Sequence, residues 1–146
     1  MPNFATHATA GAMVGVLGAG VTYVIGEFGP AVSVMVGVAG FIGSLSPDMD
    51  IKSTSSRICY LLVLLGAIYL AWVGNVTMGL LLVLYSVVPQ LFTHRGAFHT
   101  VLFGLLTSGL LAFLLYVSAV LVASESIVVG VGFLAGYLTH LVMDEA

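Results

Sequence analysis

Residues 101–117 read VLFGLLTSGLLAFLLYV, and residues 61–73 read LLVLLGAIYLAWV. Neither stretch alternates between apolar and polar positions, as the strands of a transmembrane β-barrel do. A helix needs about 20 apolar residues to cross a hydrocarbon core of about 30 Å. Continuous apolar runs of this kind predict membrane-spanning helices and therefore an all-α fold.

The composition of the whole chain argues against a soluble fold. Of its 146 residues, 60% are hydrophobic and 6% are charged, and the mean hydropathy is +1.20. A soluble domain carries about 25% charged residues, which cover its surface. The net charge of −3 is accompanied by no basic patch, so nucleic-acid binding is not expected. Cys59 is the one cysteine, and we expect it to be a small buried side chain.

Polar breaks divide the chain into apolar runs, at roughly 4–25, 31–45, 58–73, 76–92, 98–123 and 127–143. Pro89 lies inside the fourth run and predicts a kink or an early stop there, because proline lacks the N–H that a helix needs. Glycines in the first and last runs are expected to let helices approach closely. The sequence predicts a single integral membrane domain, residues 1–146, built as a polytopic bundle of about six transmembrane helices.

Counting crossings assigns each loop to a membrane face. If every run spans, the N-terminus, the 46–57 loop, the 93–98 loop and the C-terminus share one face, while Glu27 and Glu125 lie on the other. The basic residues all fall on the first face: Lys52, Arg57 and Arg95. The positive-inside rule predicts that this face is cytoplasmic, as in the inner membrane of a prokaryote.

Every histidine and every aspartate falls on that same predicted face: His7, Asp48, Asp50, His94, His99, His140 and Asp144. Imidazole and carboxylate are ligands of Zn²⁺ and of other divalent first-row ions. His140 and Asp144 are four residues apart and share one face of a helix. Asp48 and Asp50 are expected in an extended turn. We predict a metal site with Zn²⁺ as the most typical ion and Mn²⁺ or another first-row ion as alternatives.

Each of these residues, taken singly, has a simpler interpretation. His7 would be an interfacial residue at a helix end, and Asp48 and Asp50 a polar loop. Arg95 would only determine topology, and Asp144 would lie in a frayed terminus. The metal site is favoured because these interpretations do not explain why the two residue types collect on one face.

Four segments carry a resemblance to a known family: THATAG near the start, then GSLSPDMD, THRGAFHT and GYLTHLVMD. In order and spacing they resemble the YdjM-like family of membrane-bound metal-dependent hydrolases, over nearly the whole chain. The resemblance implies that the seven histidines and aspartates form the metal and catalytic centre, with Arg95 beside it.

Three functions from different classes remain open. The first is a metal-dependent hydrolase that acts at the cytoplasmic face on a lipid or another amphiphilic (phospho)ester. In it Asp48 and Asp50 serve as ligands or general base, and Arg95 holds phosphate or developing negative charge. The second is a carrier or channel for divalent metal ions, and the third is a structural or regulatory membrane subunit. The bilayer is the expected partner, and an oligomer is compatible with the sequence.

Overall fold

The computed structural model describes residues 4–50, 53–91 and 96–145. Within these ranges the chain is 88% helical, with six α-helices and no strand. The helices are α1 (Phe4–Val24), α2 (Pro30–Leu45), α3 (Thr54–Trp72), α4 (Val76–Val87), α5 (Val101–Val117) and α6 (Ala123–Glu145). Short 3₁₀ segments cover Ser46–Asp50, Val88–Leu91 and Ala97–His99. The predicted all-α fold is confirmed.

The lengths and surfaces of the helices are those of an integral membrane protein. In the described part of the chain, four segments are long and apolar enough to cross a bilayer: α1, Pro30–Met49, α3 and α6. The remaining apolar helices are shorter, Val76–Leu91 and Val101–Val117. Large apolar side chains cover the outer surface, including Trp72, which is 82% exposed, and Leu106, which is 61% exposed. In water such a surface would aggregate, whereas lipid tails solvate it.

Helix α2 packs against both α1 and α6, which also contact each other, and α5 packs against α6. The close contacts use glycine, as predicted. A Cβ atom on Gly136 of α6 would overlap the carbonyl oxygen of Gly40 in α2, and one on Gly15 of α1 would overlap that of Gly37. Small residues at these positions allow the three backbones to touch. Near this contact, Phe133 packs in a buried apolar cluster shared by α2 and α6.

The start of α3 shows why a serine-rich stretch can be mistaken for a loop. The apolar run begins at residue 58, but the helix begins at Thr54. The side chain of Ser53 accepts a hydrogen bond from the N–H of Ser56, and the Ser56 hydroxyl accepts one from the N–H of Ser53, both at 3.0 Å. This capping box satisfies backbone groups that would otherwise lack partners.

The linker between α5 and α6 lies earlier in the chain than the sequence pattern predicts. The predicted break at 124–126 is wrong, because α5 ends at Val117 and α6 already begins at Ala123. Ala119 has φ 55°, a left-handed conformation that ends the helical path. The Glu125 carboxylate accepts a hydrogen bond from the N–H of Val122 at 3.1 Å, and a negative charge stabilises the first turn of a helix.

Two further expectations concern prolines and turns. Pro89 does end a helix, because α4 stops at Val87 and a 3₁₀ segment follows. The segment SPDMD is a 3₁₀ turn that continues α2, so the extended turn expected there is wrong. Cys59 is buried at 2% exposure, as predicted.

The contact between Gly136 and Gly40 predicts that Gly136→Ala destabilises the bundle. The added methyl group must push α6 away from the α2 backbone, and overpacking of this kind costs about 1–3 kcal/mol. The melting temperature of the detergent-purified protein should fall. Gly109→Ala is the matched control, because a Cβ on Gly109 has no atom within 4 Å. Equal melting temperatures for the two variants would contradict the proposed close packing.

Candidate metal centre

Histidines and aspartates from several segments form a cluster at one end of the bundle. Its central residue is His140 in α6, which is 1% exposed. Its Nδ1 lies 2.7 Å from the backbone carbonyl oxygen of Ser44, near the end of α2. Since a carbonyl oxygen can only accept, Nδ1 carries the proton and donates it. In the neutral ring the lone pair is then on Nε2. A metal-binding histidine is typically oriented by a bond of this type.

His7 and Asp144 form one side of the cluster. The ring of His7 stacks on that of His140, with ring centroids 3.9 Å apart and planes inclined by 16°. Asp144 follows His140 by one helical turn. Its Oδ1 lies 3.3 Å from His7 Nε2, and its Oδ2 lies 3.6 Å from His140 Nε2. The Ser44 hydroxyl donates a hydrogen bond to the carbonyl oxygen of His7 at 3.3 Å, so α2 contacts both histidines.

Asp48 reaches the cluster from the 3₁₀ turn that follows α2. Its Oδ1 lies 3.6 Å from His140 Nε2, and its Oδ2 accepts a hydrogen bond from the Ser55 hydroxyl at 3.3 Å. The hydroxyl of Tyr60 donates to the carbonyl oxygen of Met49 at 2.6 Å. Both bonds join the turn to α3, so the first turns of α3 determine where the Asp48 carboxylate lies.

His99 comes from a fourth segment, the 3₁₀ turn before α5. Its Nε2 lies 3.6 Å from Asp144 Oδ2 and 4.0 Å from Asp48 Oδ1. The preceding residue, Phe98, is buried, and its carbonyl oxygen accepts a hydrogen bond from the Tyr137 hydroxyl. Helix α6 therefore holds the backbone of the turn that carries His99.

The spacing of these side chains fits a divalent ion. Ligand atoms lie within 4.8 Å of one another in each of two groups of three, namely His7, His140 and Asp144, and Asp48, His99 and His140. Bonds of about 2.1 Å to a tetrahedral zinc ion place neighbouring ligand atoms about 3.4 Å apart. The separations between imidazole and carboxylate atoms, 3.3 Å to 4.0 Å, are close to this value.

The electrostatics of the cluster also favour a positive charge. Among the described residues, His140 Nε2 and His7 Nδ1 have no hydrogen-bond partner, although both rings are nine-tenths buried or more. The lone pair on His140 Nε2 is directed at the carboxylates of Asp48 and Asp144. This repulsion is strong where the dielectric constant is low. A cation between these atoms would replace the repulsion with attraction.

The structure brings together five of the seven histidines and aspartates singled out from the sequence: His7, Asp48, His99, His140 and Asp144. They come from four separate segments. The side chain of Asp50, and all of His94 and Arg95, lie outside the described residues.

Two positioning residues were not found by sequence reasoning. Ser44 acts through its backbone carbonyl, which has no signature in a sequence, and Ser55 acts through a hydroxyl that donates to Asp48. A weak signal for Ser55 exists, because it lies in the serine-rich stretch that directly follows the aspartates. Such stretches read equally well as linkers.

Comparison with known proteins gives one match. A family model described as YdjM inner membrane protein matches residues 1–146. No curated protein and no solved structure matches the chain significantly.

The charge arrangement predicts that Asp144→Asn is at least as stable as wild type without metal, but less stable than wild type when zinc is added. With a chelator at mildly alkaline pH, the variant should melt at the same temperature as wild type or higher, because one of two neighbouring negative charges is gone. With zinc, wild type should gain stability, by about 2.7 kcal/mol at a concentration 100 times the dissociation constant, and the variant should gain little.

The matched control is Glu125→Gln, the same chemical change at the other end of α6. It should keep the zinc-dependent gain of wild type. If zinc raised the melting temperature of wild type and Asp144→Asn equally, the Asp144 carboxylate would not be part of a cation site.

Proposed function

The chain belongs to the YdjM inner membrane protein family, and on that premise we propose that it is a metal-dependent hydrolase. The proposed substrate is a lipid or another amphiphilic phosphoester, and the reaction takes place at the cytoplasmic face of the inner membrane. Zn²⁺ is the proposed ion, with Mn²⁺ or another first-row ion as the alternative.

The single observation that carries the proposal is the orientation of His140. The carbonyl oxygen of Ser44 accepts a hydrogen bond from Nδ1 at 2.7 Å. In the neutral ring Nε2 then carries the lone pair, 3.6 Å from a carboxylate oxygen of Asp48 and of Asp144. An apolar helix contact gains nothing from a buried imidazole held in this way, and ionisable groups inside a membrane protein are costly. A catalytic metal site needs a ligand that is oriented in this way, because the hydrogen bond to one ring nitrogen fixes which nitrogen can bind the metal.

The described residues of the cluster would have two roles, as ligands of the metal ion and as an acceptor of a proton. His7, His99, His140 and Asp144 would hold the ion through imidazole nitrogens and a carboxylate. Such an ion, when bound, polarises an ester oxygen and makes water acidic near neutral pH. Asp48 has its Oδ2 engaged by Ser55, so its Oδ1 would accept a proton from the attacking water or bind the ion. Asp50 and Arg95 keep the roles predicted from the sequence, base or ligand and phosphate binding.

One ion fits these residues better than two that share His140. Both groups of three ligands contain His140, but its Nε2 has a single lone pair, and its Nδ1 is already bonded to Ser44. The imidazole can therefore bind only one ion at a time. A second ion would have to rely on carboxylates and on the other histidines.

The proposed orientation in the membrane follows from charge. Arg57 is exposed in the first turn of α3, at the same end of the bundle as the cluster, whereas Glu27 and Glu125 lie at the other end. Basic residues favour the cytoplasmic side. A site at that side would meet lipid head groups of the inner leaflet.

Metal content tests the proposal most directly. Elemental analysis of detergent-purified wild type should find bound metal, and His140→Ala should retain at least about tenfold less. Mutation of a residue that only orients a metal ligand typically costs about 10–100-fold in affinity, and this variant removes the ligand itself. Thr139→Ala is the matched control, since that hydroxyl bonds only to the carbonyl oxygen of Ala135, at 2.8 Å, among the described residues. Metal absent from wild type, or equal in all proteins, would refute the proposal.

Hydrolysis separates the enzyme from the other two functions. We expect metal-loaded wild type in detergent to release a product from an extract of bacterial membrane lipids, and Asp48→Asn to release at least about a hundredfold less, since general base catalysis contributes about 10²–10⁴-fold. An inert extract with metal bound would favour a carrier or a structural subunit. Equal rates for Asp48→Asn would exclude Asp48 from the reaction.

Cysteine labelling tests the orientation. Thr54→Cys lies at the site end and Ala123→Cys at the opposite end, and both positions are exposed. A membrane-impermeant maleimide should label Ala123→Cys in intact cells, and Thr54→Cys only after the membrane is opened. Wild type is the control, because Cys59 is buried. The reverse pattern would place the site on the outer face.

A further inference from the structure

A cavity of about 370 Å³ begins at the cluster of histidines and aspartates and opens toward the outer surface between α5 and α6. His99 and Asp144 line its polar end, so the cavity is continuous with the site. Glu145, the last described residue of α6, lines the same end and is exposed. The cavity is therefore an approach to the site from beside the bundle.

The other lining residues are apolar: Val101, Leu138, Leu141 and Val142. On α6 they lie at positions i, i+3 and i+4 and form one face of the helix. That face is turned about 130° away from the one that carries His140 and Asp144, at about 100° per residue, so the cavity follows the surface of α6 away from the cluster. Val101 is 54% exposed and Val142 is 67% exposed, so both lie on the outer surface of the bundle, where a lipid can contact them. Water would gain no partners along such a wall, whereas an acyl chain would bury methylene groups there.

The direction of the cavity matches that of a lipid in the bilayer. Leu138 is seven residues before Glu145, which is about 10 Å along a helix at 1.5 Å per residue. The polar end lies at the end of α6 and the apolar end lies deeper in the membrane. A lipid molecule in the cytoplasmic leaflet has the same order, with its head group at the surface and its chain below.

The charges at the polar end favour a type of head group. Among the residues that the structure describes, Asp144 and Glu145 are the charged ones that line the cavity, and Asp144 is already engaged with His7 and His99. Glu145 is left to pair with a cation. The first turn of α5 begins beside it at Val101, and a helix N-terminus favours phosphate. A head group with both a phosphate and an ammonium complements this arrangement.

We propose that this cavity is an acyl-chain subsite, which takes one chain of a zwitterionic phospholipid with an ammonium head group from the bilayer. The proposal rests on the proposed hydrolase for its meaning, because it names the substrate class of that site. The lipid enters sideways between α5 and α6, and its chain lies along Leu138 and Val142. Its phosphate lies beside His99 and the first turn of α5, and its ammonium group pairs with Glu145.

The test uses the full-length protein in nanodiscs that contain phosphatidylethanolamine with a photoreactive diazirine in one acyl chain. The protein is first treated with a chelator, so that binding is measured without metal or turnover. After illumination, peptide mapping should find cross-links concentrated on Val101 and on 138–145. Leu138→Trp fills the cavity and should lower this yield roughly tenfold, the loss expected when about two methylene groups are no longer buried.

Val131→Trp is the matched control. Val131 is on the same helix and is 56% exposed, but it does not line the cavity, so the cross-links on 138–145 should keep the wild-type yield. Leu138→Ala, which enlarges the cavity, should also give the wild-type yield of cross-links on 138–145. That result would show that the loss in Leu138→Trp is due to filling of the cavity. Cross-links spread evenly over α3 and α6, or an unchanged yield in Leu138→Trp, would overturn the proposal.

Head-group selection is measured with Glu145→Gln. Wild type should cross-link phosphatidylethanolamine in preference to phosphatidylglycerol bearing the same diazirine chain, and the variant should lose that preference. No preference in wild type would overturn the ammonium assignment. These results are independent of metal content: bound metal without a localised cross-link refutes only the subsite, whereas a localised cross-link without metal refutes only the hydrolase.

Discussion

The bond from His140 Nδ1 to the carbonyl oxygen of Ser44 joins the two helices on which the candidate site depends. It can form only because α2 and α6 approach closely, and that approach needs Gly136 against Gly40 one helical turn away. The orientation of the buried His140 imidazole therefore depends on the small residues that let the two helices approach. A larger residue at Gly136 would separate the two backbones and move the His140 ring away from its acceptor.

The polar groups around His140 differ from the other buried polar groups of the bundle. Buried hydroxyl groups elsewhere bond to carbonyl oxygens of their own helix, as Thr107 does to Phe103 at 2.9 Å and Ser108 does to Leu105 at 3.0 Å. Such local bonds satisfy a polar group without creating a site. The cluster around His140 differs because its polar atoms converge from separate segments and face one another.

Much of this arrangement was predictable from the sequence, for a reason that is largely topological. Counting membrane crossings is enough to bring His7, Asp48, His99 and Asp144 to one end of the bundle, because each lies beside the end of an apolar run. The count does not depend on accurate helix boundaries, which is why errors at α3 and α6 did not disturb it. The role of Ser44 could not be predicted, since any residue supplies the same carbonyl oxygen. Nor could the start of α6, because SES suits both a linker and a first helical turn.

The position of His140 and Asp144 on the last of the six helices has a consequence for biosynthesis. Helices α1 to α5 leave the ribosome first and can insert with His7, Asp48 and His99 already in the membrane, but these residues lack the histidine that both three-ligand groups share. Insertion of α6 completes the cluster in one step and also supplies Tyr137, which holds the turn before α5. The cluster of described histidines and aspartates is therefore incomplete until α6 has inserted.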